Sequence, residues 1–445
     1  LLTVSNAGEL GTSHTQNYAY DVLGRVISLY TYDKDNVMLA GETYSYDVVS
    51  LNGTTPCQKT VKTVVGDSDA PSSVTAEYTD RYGRTIRTAR ILNGTELAKS
   101  FTYDMRDNLL SETNENNAVT TYTYDFAGHV LTEKNALNQT ITYTYDSLGN
   151  QLTATDAMGT TVTYTYDVLG RLLTETVPFD TNVTKLTKYT YDACGNVTEK
   201  LVSNHASDEA RSFARTVSSY DSMHRLTETE SYHGDTAALV NSYTYNAYDK
   251  VLTMTAGGAV TTNTYNLRGE LVGVTDALEN EESYTYDANG YLLTKTDRNG
   301  TVFTYVYDGL GRTLSETASK NGNTEQNTYE YSLTGALISE TNGTASVSRS
   351  YDALGRMITE TETAGNVSSA ATYTYTNTDE KASYVLRRDG DIILKEEYVY
   401  DTLDRLTRVR TGTQRGENLS INLTTSVIYR YDANGNRTSV ENANG

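Results

Sequence analysis

The sequence predicts an all-β protein, a tandem array of β-hairpins forming one extended and largely antiparallel sheet. The dipeptide Tyr-Asp occurs 15 times in the 445 residues, against roughly five expected by chance from composition. It recurs at a fixed period: Tyr103, Tyr124, Tyr145 and Tyr166 are 21 residues apart, as are Tyr265, Tyr286 and Tyr307. Composition agrees, with 38 Tyr, 5 Phe, no Trp, 3 Pro and only 37% hydrophobic residues. Thr, Tyr and Val favour strands. So little apolar material fills a thin packed layer rather than several thick cores.

One unit reads in full from Thr142 to Tyr166. Thr142–Tyr145 is a strand, and Asp146, Ser147, Leu148 and Gly149 turn the chain. Asn150–Thr155 returns, Asp156, Ala157, Met158 and Gly159 turn it again, and Thr160–Tyr166 begins the next unit. Asp at the first position of a type I turn accepts hydrogen bonds from the backbone ahead of it. Gly at the fourth supplies the positive φ that closes the hairpin as a G1 bulge. The recurring structural set is Tyr103 and Asp104; Tyr124, Asp125 and Gly128; Tyr145, Asp146 and Gly149; Tyr166, Asp167 and Gly170; and Tyr191, Asp192 and Gly195. It continues with Tyr286, Asp287 and Gly290; Tyr307, Asp308 and Gly311; Tyr351, Asp352 and Gly355; and Tyr431, Asp432 and Gly435. In degenerate units Asn108, Asp249 and Asp404 occupy or flank the glycine position, and distorted turns are expected there.

Between turns the pattern has period two. Val162, Tyr164 and Tyr166 share one face, and Thr161, Thr163 and Thr165 the other. Leu131, Leu152, Leu173, Leu293 and Leu314 recur seven residues after the repeat Tyr. They are expected to stack with the tyrosines into cross-strand ladders, each pair contributing about 0.2–1 kcal/mol. Tyr30, Tyr232, Tyr248, Tyr291 and Tyr384 fall outside the main register. They are the tyrosines to consider for a ligand.

Along the chain, residues 1–445 read as a single array with no separate catalytic domain. Residues 1–100 are irregular, with an insertion around 52–75 that holds Pro56 and Pro71. Residues 101–191 are the most regular, and 192–445 alternate repeats with insertions. Ser203–Arg215 and Asp235–Val240 are the candidates for a short helix or protruding loop. Leu1 is not an initiator Met, so the chain reads as an excised piece.

The string Tyr-Asp-x-x-Gly-Arg/Asn followed by Leu-Thr, as in Tyr166–Thr174 and Tyr307–Leu314, resembles the YD repeat of RHS-repeat proteins. These are large bacterial surface and secreted proteins, similar to wall-associated RHS proteins and the cocoon-forming components of ABC toxin complexes; teneurins carry a related shell. The resemblance runs from about Tyr18 to Asn436. It implies a sheet spiralling into a hollow shell, incomplete here, that scaffolds or encloses a C-terminal polypeptide of the same protein, a toxin in many members. It also implies a secreted or cell-surface location. The alternative is an adhesion module for a cell-surface glycan or protein. Many members end the shell in an Asp-Pro segment near an autoproteolytic aspartate. Here Pro56, Pro71 and Pro178 follow Thr, Ala and Val, so no catalytic residue carries over.

The remaining residues point away from chemistry. A formal charge of −21 leaves no basic face for nucleic acid, and the densest basic stretch, Arg405–Arg415, reads as a solvated strand. Cys57 and Cys194 have no metal-ligand spacing and are expected to be free thiols. His14, His129, His205, His224 and His233 are scattered. The carboxylates Glu279, Glu281 and Glu282, and Asp389 and Asp391, sit at expected turns, where solvated charge is the rule. The D-x-x-G turns lack the converging oxygens that calcium needs. No nucleophile elbow or phosphate-binding loop occurs, and no apolar run reaches the roughly 20 residues of a membrane span. The sequence predicts no enzyme, cofactor or metal.

Overall fold

The computed structural model describes residues 2–6, 14–51, 53, 55–180, 183–203, 212–233, 239–413, 423 and 425–442. Among these residues there are 37 strands in one sheet and no helix. Each strand pairs antiparallel with its neighbours in sequence, from Leu2–Asn6 on His14–Tyr20 to Thr425–Tyr431 on Arg437–Asn442. The protein is therefore a meandering ribbon with two long edges made of hairpin turns. One edge carries the Tyr-Asp turns, apart from that at Tyr32 and Asp33, and is called the tyrosine edge. The other carries the second turn of each unit and is called the return edge.

The turns follow from their residues. At Asp146–Gly149 the Asp146 N–H donates to the Asn150 carbonyl at 2.9 Å, and the Gly149 N–H donates to the Asp146 carbonyl at 3.1 Å. Gly149 has φ +87, the left-handed conformation that a G1 bulge requires. Turns without this glycine keep the same design. Asp107, His224, Asp249 and Asp404 adopt φ values of 57–69. His224 and Asp404 still close their turns at 3.0 Å, whereas Asp107 and Asp249 lengthen the closing bond to 3.4 and 3.3 Å. Asp379, at φ 72, stretches its closing bond to 3.4 Å as well, but the glycine turn at Gly128 is also 3.3 Å, so the expected distortion is slight, and Asp107 rather than Asn108 takes the left-handed residue's place.

The strand faces alternate as their residues dictate. In Thr161–Tyr166 the two tyrosines are half-buried while Thr163 and Thr165 are exposed. Across the outer face, threonine hydroxyls pair at 2.6 Å, as in Thr144 with Thr153 and Thr165 with Thr174. The leucines seven residues after each Tyr do not enter a ladder. Tyr166 opposes Leu172 and Thr165 opposes Thr174, so Leu173 is the extra residue of a β-bulge. Leu131 and Leu152 occupy the same place. The period-two count fails because the bulge adds one residue per unit.

The segment read as an insertion around 52–75 is mostly strand. Met38–Leu51 and Thr55–Val64 form a wide hairpin, followed by Ser73–Thr79. Pro56 sits near the strand's start, where a missing N–H costs little, and Pro71 lies in the 65–72 loop. This region holds the core: Cys57, Ala76, Tyr78 and Ala89 are buried, with Val49, Leu51, Val61, Ile86, Ile91 and Ala98 packed around them. Of the two later candidates for insertions, Ser212–Tyr220 and Leu239–Tyr245 are strands; residues 204–211 and 234–238 lie outside the described residues.

The ribbon also returns on itself. The Leu333 N–H donates to Asp67 Oδ2 at 2.8 Å, 266 residues away, and the Tyr351 N–H donates to the Asp69 carbonyl at 2.8 Å. Asn434 Nδ2 donates to Asp156 Oδ2 at 2.6 Å across 278 residues. In each case a tyrosine-edge turn of the later coil rests on a return-edge turn of the earlier one.

Candidate functional site

Two sets of polar contacts recur often enough to be the working parts of this molecule: fasteners along the tyrosine edge and a seam between coils. The fasteners begin with the repeat tyrosine, whose position facing the packed side leaves only its hydroxyl to satisfy. Tyr145 donates that hydroxyl to the Val130 carbonyl at 2.8 Å. Tyr103, Tyr124, Tyr191, Tyr286, Tyr307, Tyr351 and Tyr431 do the same to the carbonyls of Thr85, Leu109, Leu172, Leu271, Leu292, Leu337 and Leu406, at 2.7–2.8 Å. Each acceptor opens the return strand of the preceding unit. In these eight units one hydroxyl therefore ties a unit to its neighbour, a role that a hydroxyl merely reaching solvent could not play. Burial pushes the Tyr145 phenol above its usual range, and the Asp125 charge adds to this.

The turn aspartate is the second part. Asp146 Oδ1 accepts the N–H groups of Leu148 and Asn150 at 2.8 and 2.9 Å, and Oδ2 accepts Asn150 Nδ2 at 2.8 Å. The Asn150 side-chain amide, then the Asn150 and Leu148 backbone N–H groups, hold this carboxyl below the ordinary aspartate range. Where Arg replaces Asn, one side chain does three things. Arg171 Nε donates to Asp167 at 2.6 Å and Nη1 to the Asp192 carbonyl of the next unit at 3.1 Å, while its guanidinium lies 4.7 Å from the Tyr191 ring centroid. Arg356 repeats this with Asp352, the Thr376 carbonyl and Tyr375. His129 bonds Asp125 at 2.8 Å and stacks on Tyr145. Tyr291 breaks the rule: it stacks on Tyr307 and leaves the Asp287 Oδ2 buried without a hydrogen-bond partner.

At the seam, Arg90 pairs with Glu115 at 3.0 Å and with Asp379 from the later coil, and donates to the Asn377 carbonyl. Asn116 Nδ2 bridges Thr378 and Asp404, each at 3.0 Å. A cleft of about 870 Å³ lies here, lined by Lys62, Glu77, Arg90, Lys99, Glu115 and Asp379 among others. Lys62 is bound to Glu42 at 2.8 Å, and Arg90 is engaged as above. Lys62 and Arg90 are thus committed to ion pairs, and Glu77 accepts the Thr85 hydroxyl.

The tyrosines outside the register are largely engaged. Tyr30 lies over Gly41, Tyr232 bonds Glu230 and faces Arg215, and Tyr384 leans on Tyr373. Tyr248, at a turn tip, stands exposed. Among the proposed carboxylates, Glu282 binds Arg298 and Tyr284, whose phenol is raised to about 12 by burial and by Glu282. Glu279 is a left-handed turn residue, and Asp389 accepts the Ser368 N–H. Cys57 is buried, Cys194 exposed, and both are free. His205 lies outside the described residues. Among the described residues no three His, Cys, Asp or Glu side chains gather as a metal site, and no helix is long and apolar enough to cross a membrane. Sequence reading missed the hydroxyl-to-carbonyl tie and the seam; in the regular units the step of 15 residues from Tyr124, Tyr145, Tyr286 and Tyr307 to the residue opening the preceding return strand was the available signal for the first.

The continuous hairpin ribbon, fastened unit to unit through Tyr, Asp and Arg or Asn, defines a β-shell repeat protein. Residues 103–140, 127–157 and 145–181 match the RHS Repeat model, and residues 200–386 match the Teneurin YD-shell model. The chain is an RHS/YD-repeat protein. A search of curated proteins finds no match. Among solved structures it is similar to the Photorhabdus luminescens Tc holotoxin pore carrying a TccC3 mutation, with TM-score 0.60 and 14% identity over 98% of this chain and 29% of that one. It is also similar to TcdB2-TccC3 without its hypervariable C-terminal region, with TM-score 0.50 and 13% identity over 97% of this chain and 32% of that one. The chain thus spans less than a third of the length of these solved chains, and at such identity the likeness is one of fold.

Proposed function

We propose that this chain is a structural segment of the β-shell of a larger secreted or surface RHS-repeat protein, scaffolding or enclosing a polypeptide of the same full-length protein. The observation that carries this reading is the seam, where coils 262 to 289 residues apart are bonded to each other. A ribbon that only displayed loops has no need to seal its own edges. The repeat Tyr, Asp and Gly then serve as building parts, and the segment has no catalytic role. The likeness to chains of a Tc toxin supports this reading through the fold. The adhesion alternative keeps less support, since four of the five tyrosines outside the register lie in packed or bonded places.

The test joins the chain to whatever its reading frame encodes downstream and measures protease resistance of that polypeptide. It should be protected in the intact protein and become cleavable when Asp67→Ala weakens the seam. Equal cleavage in both would sink the enclosure reading.

A further inference from the structure

We propose that Asn93–Gly94 is a self-modification site, where the folded protein loses ammonia and forms isoaspartate at the end of a hairpin that carries the seam. This goes beyond the enclosure reading and does not depend on it. Six Asn-Gly pairs lie within the described residues, and the fold treats them differently. After Asn289, Asn299 and Asn434 the glycine N–H donates to the carbonyl of the turn aspartate, at 3.2, 2.9 and 3.2 Å. The Gly343 N–H donates to Thr341 Oγ1 at 3.1 Å. Asn93 and Gly94 instead form a two-residue type I′ tip, with φ values of 50 and 81. Among the described residues neither the Gly94 N–H nor the Asn93 side-chain amide has a hydrogen-bond partner. Exposure alone does not separate the pairs, since Asn299 and Asn434 are exposed too. Asn321 and Gly322 share the tip geometry, but Asn93 stays exposed where the later coil is already seated, through Arg90 on Asp379.

The reaction consumes only water. The Gly94 backbone nitrogen, once its proton is lost to solvent, bonds to Asn93 Cγ; the Cγ–Nδ2 bond breaks and ammonia leaves, giving a succinimide. Water then opens the ring. Cleavage at Cγ leaves aspartate, whereas cleavage at the main-chain carbonyl leaves isoaspartate, with the chain running through Cγ. A glycine N–H held in a turn must first give up its hydrogen bond, which slows the attack. Isoaspartate adds an atom to the main chain of a two-residue loop, and that loop fixes the strand register. Directly beneath it Leu92 pairs with Thr95, Ile91 with Glu96 and Arg90 with Leu97. Arg90 is the seam cation bound to Glu115 and Asp379, so the modification loosens the seam as the protein ages.

Ageing the whole chain at mildly alkaline pH, natively and in urea, tests this, with peptide mass spectrometry separating the Asn, Asp and isoaspartate forms. In the native protein Asn93 should convert about tenfold faster than Asn299 and Asn434, the size of one backbone hydrogen bond that must break first. In urea the three rates should converge. Aged native protein should then show faster amide exchange in Thr85–Leu92 and Thr95–Tyr103, and at Asp379, whose N–H closes its own turn on Thr376. Asn93→Gln, whose longer side chain cannot close the five-membered ring, should age without that change. Conversion at Asn93 no faster than at Asn299 and Asn434 overturns the proposal. So does a difference that persists in urea, which would place its cause outside the fold, or isoaspartate that forms while exchange stays as in Asn93→Gln.

Discussion

The regular strands between Leu109 and Tyr166 and the wide hairpins between Met38 and Tyr103 belong to one sheet yet are held by different means. The regular strands run five or six residues, and no hydrophobic residue between Leu97 and Leu186 is fully buried. Their cohesion comes from side chains bonded to backbone: the Tyr124 and Tyr145 hydroxyls to the preceding unit and an aspartate or asparagine to each turn. The wide hairpins run up to 14 residues, gather the buried cluster around Tyr78, and support the loop on which the later coil rests. Strand length explains the contrast, because side chains of short strands have too few same-face neighbours to exclude water. A repeat ribbon fails or holds unit by unit, and a hydrophobic seat gives it one place of stronger cooperation.

The largest break in this comparison should come at Tyr78. Its ring is 4% exposed within the buried cluster, and Tyr78→Ala should lower stability by about 3–5 kcal/mol, as removal of a buried aromatic ring does. Chemical unfolding measures it. A cost below that of removing a tyrosine from the regular strands would mean that the wide hairpins are not the seat of stability.

Gly66→Ala comes next. A Cβ there would lie 2.3 Å from the Ala70 carbonyl oxygen and the backbone of Pro71 and Ser72, so the 65–72 loop must move. The expected cost is about 1–3 kcal/mol, read locally as faster amide exchange at Leu333 and Tyr351, whose N–H groups bond that loop. Unchanged exchange at both would show that the seam does not depend on this loop.

In the regular strands, Tyr145→Phe removes one hydroxyl and leaves the ring. The Val130 carbonyl loses its partner, at a cost of about 0.5–1.5 kcal/mol. Exchange should quicken in the strands Val130–Lys134 and Thr140–Tyr145 and stay unchanged near Tyr78. A global effect would mean that the repeats are less independent than the fasteners suggest.

What was legible in the sequence follows the same division. The D-x-x-G turns, the alternating Tyr and Thr faces and the all-β ribbon could be read because each is set by neighbours within a few residues. The bulge at Leu173 could not, since it shows only when two strands are counted against each other. The 55–64 strand was hidden by Pro56, which local rules count against strands although its place near the strand's start is harmless. Asp67 and Asn116 look like ordinary polar turn residues, and Arg90 like an ordinary strand cation. Their partners at Leu333, Asp379 and Asp404 lie one coil away, at a distance fixed by the curvature of the whole ribbon.

The smallest expected effect isolates a single fastener. Asp146→Asn keeps the Oδ1 acceptor for the Leu148 and Asn150 N–H groups but sets an amide against Asn150 Nδ2. Turns built on Asn246 and Asn266 show that an amide can hold the same place. The Asn150 amide and the turn N–H groups hold the carboxyl of Asp146 below the ordinary aspartate range. A depressed carboxyl contributes stability that is present above the unfolded value and is lost as pH falls through the folded one. The gap in stability between native protein and variant should therefore be widest near neutrality and shrink on acidification below about pH 4. Unfolding midpoints at a series of pH values give this directly. A gap that stays constant with pH would mean that the Asp146 charge does nothing in the turn, and that the shape of the side chain alone is what the repeat selects.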